Sequence, residues 1–196
     1  MTPKSLLRHP MAAATLTELA EGTFQAVMDD TMALSHAGDI RKVLICTGNI
    51  AIDLLSHERG RSQGAGRPQG DRATTRVVPT MDDQIVPTDV AIVRVERLYP
   101  FPGQELQNVL SHYQHLQEVV WVQEEPRNMG AWSYISPRLS TLIGSLPSPI
   151  LLNVISRPER ASPASGFMDL FLVEQEQILT QALTPLSKER GGKYVY

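Results

Sequence analysis

Four short runs decide the fold: Val43-Leu44-Ile45-Cys46, Val90-Ala91-Ile92-Val93, Val119-Val120-Trp121-Val122 and Ile150-Leu151-Leu152-Asn153-Val154-Ile155. Each is apolar almost throughout and rich in β-branched residues, the pattern of a strand buried on both faces. Between and after them come segments with helical spacing, Leu106, Val109, Leu110 and Tyr113, then Leu172, Gln175, Ile178, Leu179, Ala182 and Leu183. Each would cover one face of a sheet. Strand and helix alternate along residues 43–184, and right-handed crossovers then require a mostly parallel sheet between helix layers. The expected fold is α/β, three-layer and doubly wound. The domain itself is expected at 41–184, after a leader at 1–40 that joins it to a preceding region, and before a tail at 185–196.

In the leader, Thr15-Leu16-Thr17-Glu18 reads as a capping box that opens a short helix, and Gly22 would end it. The leader has no evident core of its own. The first crossover departs from the helical pattern: Arg59-Gly60-Arg61-Ser62 through Arg72 holds four glycines and four arginines with no hydrophobic period. Such a composition cannot bury an apolar face, so residues 59–88 are expected to form a flexible insert. The competing reading of this stretch is a basic arm that grips an anionic ligand or a lipid.

With 196 residues, 42% of them hydrophobic and 20% charged, the chain can fill one core. Eighteen Lys and Arg against 21 Asp and Glu give a formal charge of −3, which leaves no basic excess for nucleic acid. Cys46 is the single cysteine, so neither an internal disulfide nor a Cys-rich zinc site is available. Inside a buried strand its thiol behaves as a small hydrophobe. The basic N-terminus lacks a secretory apolar region, and no stretch is long enough to span a membrane. A cytoplasmic protein with no membrane partner is expected, or one of the mitochondrial matrix in a eukaryote.

In open parallel sheets ligands gather beyond the carboxyl ends of the strands. Thr47-Gly48-Asn49 sits at such an end but lacks the glycine patterns of dinucleotide and P-loop sites. Glu124 and Glu125 are adjacent, so on an extended chain they point to opposite sides and cannot form a carboxylate dyad with each other. One of them is expected to face a partner subunit or an arginine. His9, His36, His57, His112 and His115 show no His-Glu-x-x-His spacing, and no Gly-x-Ser-x-Gly elbow occurs. No catalytic, cofactor-binding or metal-ligating residue is therefore assigned. Arg157 and Arg160, in a loop rich in Pro and Ser before the last helix, could hold a phosphate or carboxylate. The alternative is that they pair with Glu124, Glu125 or Glu159. Trp121 fits the core and Trp132 an interface.

Four blocks then carry a resemblance: Thr2 to Pro10, Val90 to Pro102, Val122-Gln123-Glu124-Glu125-Pro126-Arg127-Asn128-Met129-Gly130-Ala131-Trp132, and Ser162 to Gly166. In this order they resemble the C-terminal region of the thiamine-dependent decarboxylating component of 2-oxoglutarate dehydrogenase. The 122–132 block favours the oxoglutarate branch over pyruvate and branched-chain relatives or transketolase. The resemblance implies a transketolase C-terminal-like domain in a citric acid cycle enzyme that passes a succinyl group to lipoamide. It implies thiamine diphosphate and Mg2+ for the whole enzyme, held through a Gly-Asp-Gly motif that this sequence lacks. On that reading the chain is a detached tail, inactive alone and binding no cofactor. Its implied partners are the thiamine-binding remainder, a dimer mate and the lipoyl succinyltransferase. Its implied roles are to shape the active-site entrance, to complete the dimer and to contribute an effector site. Lys4, Arg8, Arg157 and Arg160 are the anion candidates for acetyl-coenzyme A or a nucleotide; Glu124, Glu125 and Trp132 are the interface candidates. The competing function is a free-standing regulatory module that binds an anionic nucleotide or acetyl-coenzyme A.

Overall fold

The computed structural model describes residues 6–7, 9–62 and 89–186. Lys4, Arg8, the tail beyond 186 and residues 63–88 of the expected insert lie outside the described residues. The first residues of that insert, 59–62, extend a helix instead of leaving it.

Five strands form one sheet in the order β1-β3-β2-β4-β5: β1 (Val27–Met28), β2 (Lys42–Cys46), β3 (Val90–Val95), β4 (Glu118–Pro126) and β5 (Leu151–Arg157). The last four are mutually parallel, and β1 alone runs antiparallel, against β3. The apolar runs of the sequence are these four parallel strands, and in β2 every residue is buried. The doubly wound α/β architecture expected from the alternation is what the chain adopts.

Alternate side chains along each strand feed two cores. Val43 and Ile45 of β2, with Val119 and Trp121 of β4, pack under α3 (Gly103–Ser111) and α4 (Trp132–Gly144). Leu44 and Cys46, with Val120 and Val122, pack under α2 (Asn49–Ser62) and α5 (Met168–Ala182). The helix after β2 thus lies on one face and the helix after β4 on the other, which opens the chain at the carboxyl ends of these two neighbouring strands. In such sheets this is the point where a crevice forms.

The leader is tied into the domain more closely than its lack of an apolar run suggested. Thr15 caps α1 (Leu16–Glu21) with a complete capping box, as the sequence indicates. Gly22 ends that helix in extended backbone, where an added Cβ would stand 2.2 Å from the Glu18 carbonyl oxygen. Further on, Ala33 and Ile40 enter the first core. Asp30 makes the strongest link: one carboxylate oxygen accepts from the amides of Met32 and Ala33, both at 3.1 Å, and the other from Ile92 of β3 at 3.0 Å. A two-residue β1 cannot cover the edge of β3, and this carboxylate satisfies an edge amide that would otherwise invite pairing. Asp30→Ala leaves three amides without their acceptor and should cost about 3 kcal/mol in denaturant unfolding. A loss below about 0.5 kcal/mol would show that the leader docks without it.

Candidate functional site

The carboxyl end of β4, where a crevice is expected beside β2, is shaped by one side chain. Gln123 continues the parity of Trp121, so its amide points to the α4 side of the sheet and is buried there. Pairing between β4 and β5 is irregular here: Val122 stands opposite Ile155 and Pro126 opposite Arg157, four residues advancing against two. The Gln123 amide fills the space that the surplus backbone creates. Its oxygen accepts from the Trp121 indole at 3.0 Å and from the Trp132 amide at 3.1 Å. Its nitrogen donates to the carbonyls of Glu125 at 3.3 Å, Pro126 at 3.0 Å and Met129 at 2.9 Å. The loop from β4 to α4 is therefore wound around a single amide.

Gly130 completes the loop. Its φ of +66° lies in the left-handed region, and a Cβ there would come within 3.0 Å of Glu125 and 3.1 Å of the Gln123 amide nitrogen. Only glycine satisfies both conditions.

Glu124 has the opposite parity and falls on the α2 and α5 side. Its carboxylate accepts from Gln175 Nε2 at 3.0 Å, and the same nitrogen donates to Asp53 at 3.0 Å. Asn49 Nδ2 also reaches Asp53, at 3.1 Å. Two carboxylates thus share one neutral amide. Burial holds the Glu124 pKa above its ordinary value, and the Asp53 charge adds to the shift against the pull of Gln175 and Arg157. Glu125 is exposed on the far side of the strand. The two glutamates diverge as their adjacency requires.

The arginines converge on Glu174 of α5 rather than on Glu124, Glu125 or Glu159. Arg157 is 5% exposed, lies 3.4 Å from Glu174 through Nε, donates to Gln175 Oε1 at 3.2 Å and stacks 4.7 Å over the Phe171 ring. Arg160 pairs with the other oxygen of Glu174, and Ser165 donates to that carboxylate at 2.6 Å. The Arg160 and Ser165 hydrogen bonds hold the Glu174 carboxyl below the usual range. Asn128 joins this loop to the one after β4 by donating to the Arg160 carbonyl at 3.0 Å. An anion at these arginines would have to compete with Glu174. Trp121 lies fully in the core, while Trp132 is partly buried at the start of α4.

The groups that the resemblance implies for the whole enzyme do not fit the described residues. No three His, Cys, Asp or Glu side chains among them come together as a metal-binding group. A diphosphate would meet arginines already engaged by Glu174 and a crevice lined by Asp53 and Glu124. Cys46 is fully buried, and burial pushes its thiol up to about 12, so it is no nucleophile. Among the described residues no helix is long and apolar enough to cross a membrane.

Sequence reasoning picked out Glu124, Arg157 and Arg160 but missed Gln123, Asp53, Glu174 and Gln175. Gln123 carries a readable signal: an amide two residues beyond a core tryptophan on the same strand face. The rest are brought in by α2 and α5, whose registers against the sheet only the fold sets.

Residues 75–183 match the family model described as "2-oxoglutarate dehydrogenase C-terminal". The chain belongs to this family. Proteins named "2-oxoglutarate dehydrogenase E1 component" from Bacillus anthracis and Bacillus mycoides are each 37% identical over 184 residues, and one from Bacillus cereus is 36% identical over 183. Each alignment covers 93% of this chain and 17% of the relative. This chain thus spans about a sixth of the length of the curated relatives it matches. The family is the one that the four sequence blocks resemble.

The Glu124 shift fixes a pH dependence. Because the folded state binds this proton more tightly than the unfolded chain, ionisation of Glu124 opposes folding, and the stability present below the ordinary carboxylate range is lost as pH rises through the raised value. Glu124→Gln keeps an acceptor for Gln175 and removes the charge. Its urea midpoint should match the parent's near pH 4 and exceed it at about pH 7.5, with m unchanged. An equal difference at both pH values would contradict the assignment.

Proposed function

We propose that this chain is the C-terminal domain of a thiamine diphosphate-dependent 2-oxoglutarate dehydrogenase E1 component, acting in the oxidative decarboxylation of 2-oxoglutarate in the cytoplasm. One observation carries the reading: 93% of the chain aligns at 37% identity with proteins bearing that name, as a sixth of their length. The geometry supports a part rather than a whole enzyme. The crevice holds two carboxylates around an amide and an arginine pair closed by Glu174, and among the described residues there no nucleophile stands beside a base. Thiamine diphosphate and Mg2+ then belong to the larger remainder, and the lipoyl succinyltransferase component is the partner that receives the succinyl group. The domain's contribution is to build one wall of the assembled component, with Gln123 fixing the shape of that wall. The alignment to an enzyme component across the whole domain disfavours a free-standing regulatory module.

A Bacillus mycoides E1 component cut back before its aligned segment is the natural partner for a test, co-expressed with this chain. The pair should decarboxylate 2-oxoglutarate when thiamine diphosphate and Mg2+ are supplied, and this chain alone should not. Turnover by this chain alone, or none by the pair when the uncut component is active, would overturn the reading.

A further inference from the structure

The exposed apolar side chains are distributed unevenly. Leu16, Leu19, Phe24, Tyr99, Phe167 and Met168 are each 71–86% exposed. Tyr99 follows β3, and Phe167 and Met168 follow β5 and open α5. Leu16, Leu19 and Phe24 lie on the stretch that leads into β1, which starts opposite Val95, the last residue of β3. Phe24, Tyr99, Phe167 and Met168 therefore belong to segments that meet the sheet at the carboxyl ends of its parallel strands, and Leu16 and Leu19 lie on the helix that precedes Phe24. With neighbouring strands about 4.8 Å apart, the loops after β3, β2, β4 and β5 fall within roughly 15 Å of one another. Exposed apolar groups gathered at one end of a domain mark an interaction surface.

Two local features agree. α1 has six residues, none of them buried, too short to hold together on propensity alone. The first half of α5 is inverted: Glu174 and Gln175 face the body of the domain while Met168, Leu172 and Val173 face away.

Charge indicates the kind of partner. At this end Arg94 is taken by Glu96, Arg97 by Glu105, and Arg157 and Arg160 by Glu174, while Arg127 is exposed and outside these pairs. Among the described residues Glu124, Asp53 and Glu125 have no cation in an ion pair. A second copy seated face to face would bring the same acidic crevice near its own image, and like charges would oppose it.

We propose that the carboxyl end of the sheet docks a segment of the larger E1 polypeptide in which apolar side chains surround an arginine or lysine that reaches Glu124. This rests on the enzyme-part reading above. The apolar residues would supply contact area, and the cation would convert two carboxylates around one amide into a charge-assisted pair at the centre.

The test uses the co-expressed pair, with this chain tagged and the captured E1 remainder quantified at increasing salt. Phe167→Ser with Met168→Ser should weaken capture about tenfold or more, and Glu124→Gln should weaken it about tenfold and flatten its salt dependence. Leu151→Ser, also exposed but at the opposite end of β5, should change capture less than about twofold. Circular dichroism of each variant checks that the domain stays folded. Restored decarboxylation with capture indifferent to Phe167, Met168 and Glu124 would overturn the surface while the enzyme-part reading stands. No capture of the parent chain would overturn the surface, and no activity besides would overturn both. A parent chain that sediments as a dimer, and becomes monomeric in the Phe167 and Met168 variant, would make a second copy the occupant and overturn the proposal.

Discussion

The amide of Gln123 is the contact on which the carboxyl end of this sheet depends. Five hydrogen bonds run through one side chain, and two of its partners, the Trp121 indole and the Pro126 carbonyl, are buried groups that would be costly to leave unpaired. The amide joins the core, through the Trp121 indole, to the start of α4, through the Trp132 amide. Between these anchors it holds three carbonyls of a backbone with more residues than the ladder can pair. The position of the Trp132 amide and the close approach of Gly130 to the Gln123 nitrogen both belong to that closure.

A second closure lies across the strand ends. Glu174 gathers Arg157, Arg160 and Ser165, and so binds the loop after β5 to α5. Gln175, one residue on, spans Asp53 and Glu124 and takes a hydrogen bond from Arg157. Arg94, Arg97, Arg157 and Arg160 are neutralised within the domain, Arg127 stands exposed, and the crevice carboxylates accept hydrogen bonds from neutral amides. That imbalance and the apolar side chains around it give the end its character as a surface completed by another piece of protein.

Much of this was legible in the sequence. Four apolar runs at α/β spacing specify the parallel strands, and the first three are buried as a strand covered on both faces must be. The fourth, β5, is instead an edge strand with Leu151 68% exposed, because only β4 pairs with it. The capping box at Thr15 was legible for the same local reason. What the sequence could not display was the docking of the leader, since the contact of Asp30 with Ile92 joins residues 62 apart. The partner of the arginines was hidden likewise: the spacing of α5 points Leu172 inward, but Leu172 is exposed, the buried apolar face begins only with Ile178, and Glu174 takes the inward direction from the fold. The resemblance of the 122–132 block located the site, but only the structure shows that its glutamine, more than its glutamates, organises it.

Amide exchange in Gln123→Leu tests this account most directly. Leucine keeps the volume and removes all five hydrogen bonds, so the Trp132 amide should exchange about 10- to 100-fold faster, equivalent to roughly 1.5 to 3 kcal/mol. Leu44 and Ile45 amides in the central strand should keep their protection. Unchanged exchange at Trp132, or an equal loss of protection throughout the sheet, would contradict the claim that this one side chain holds the loop.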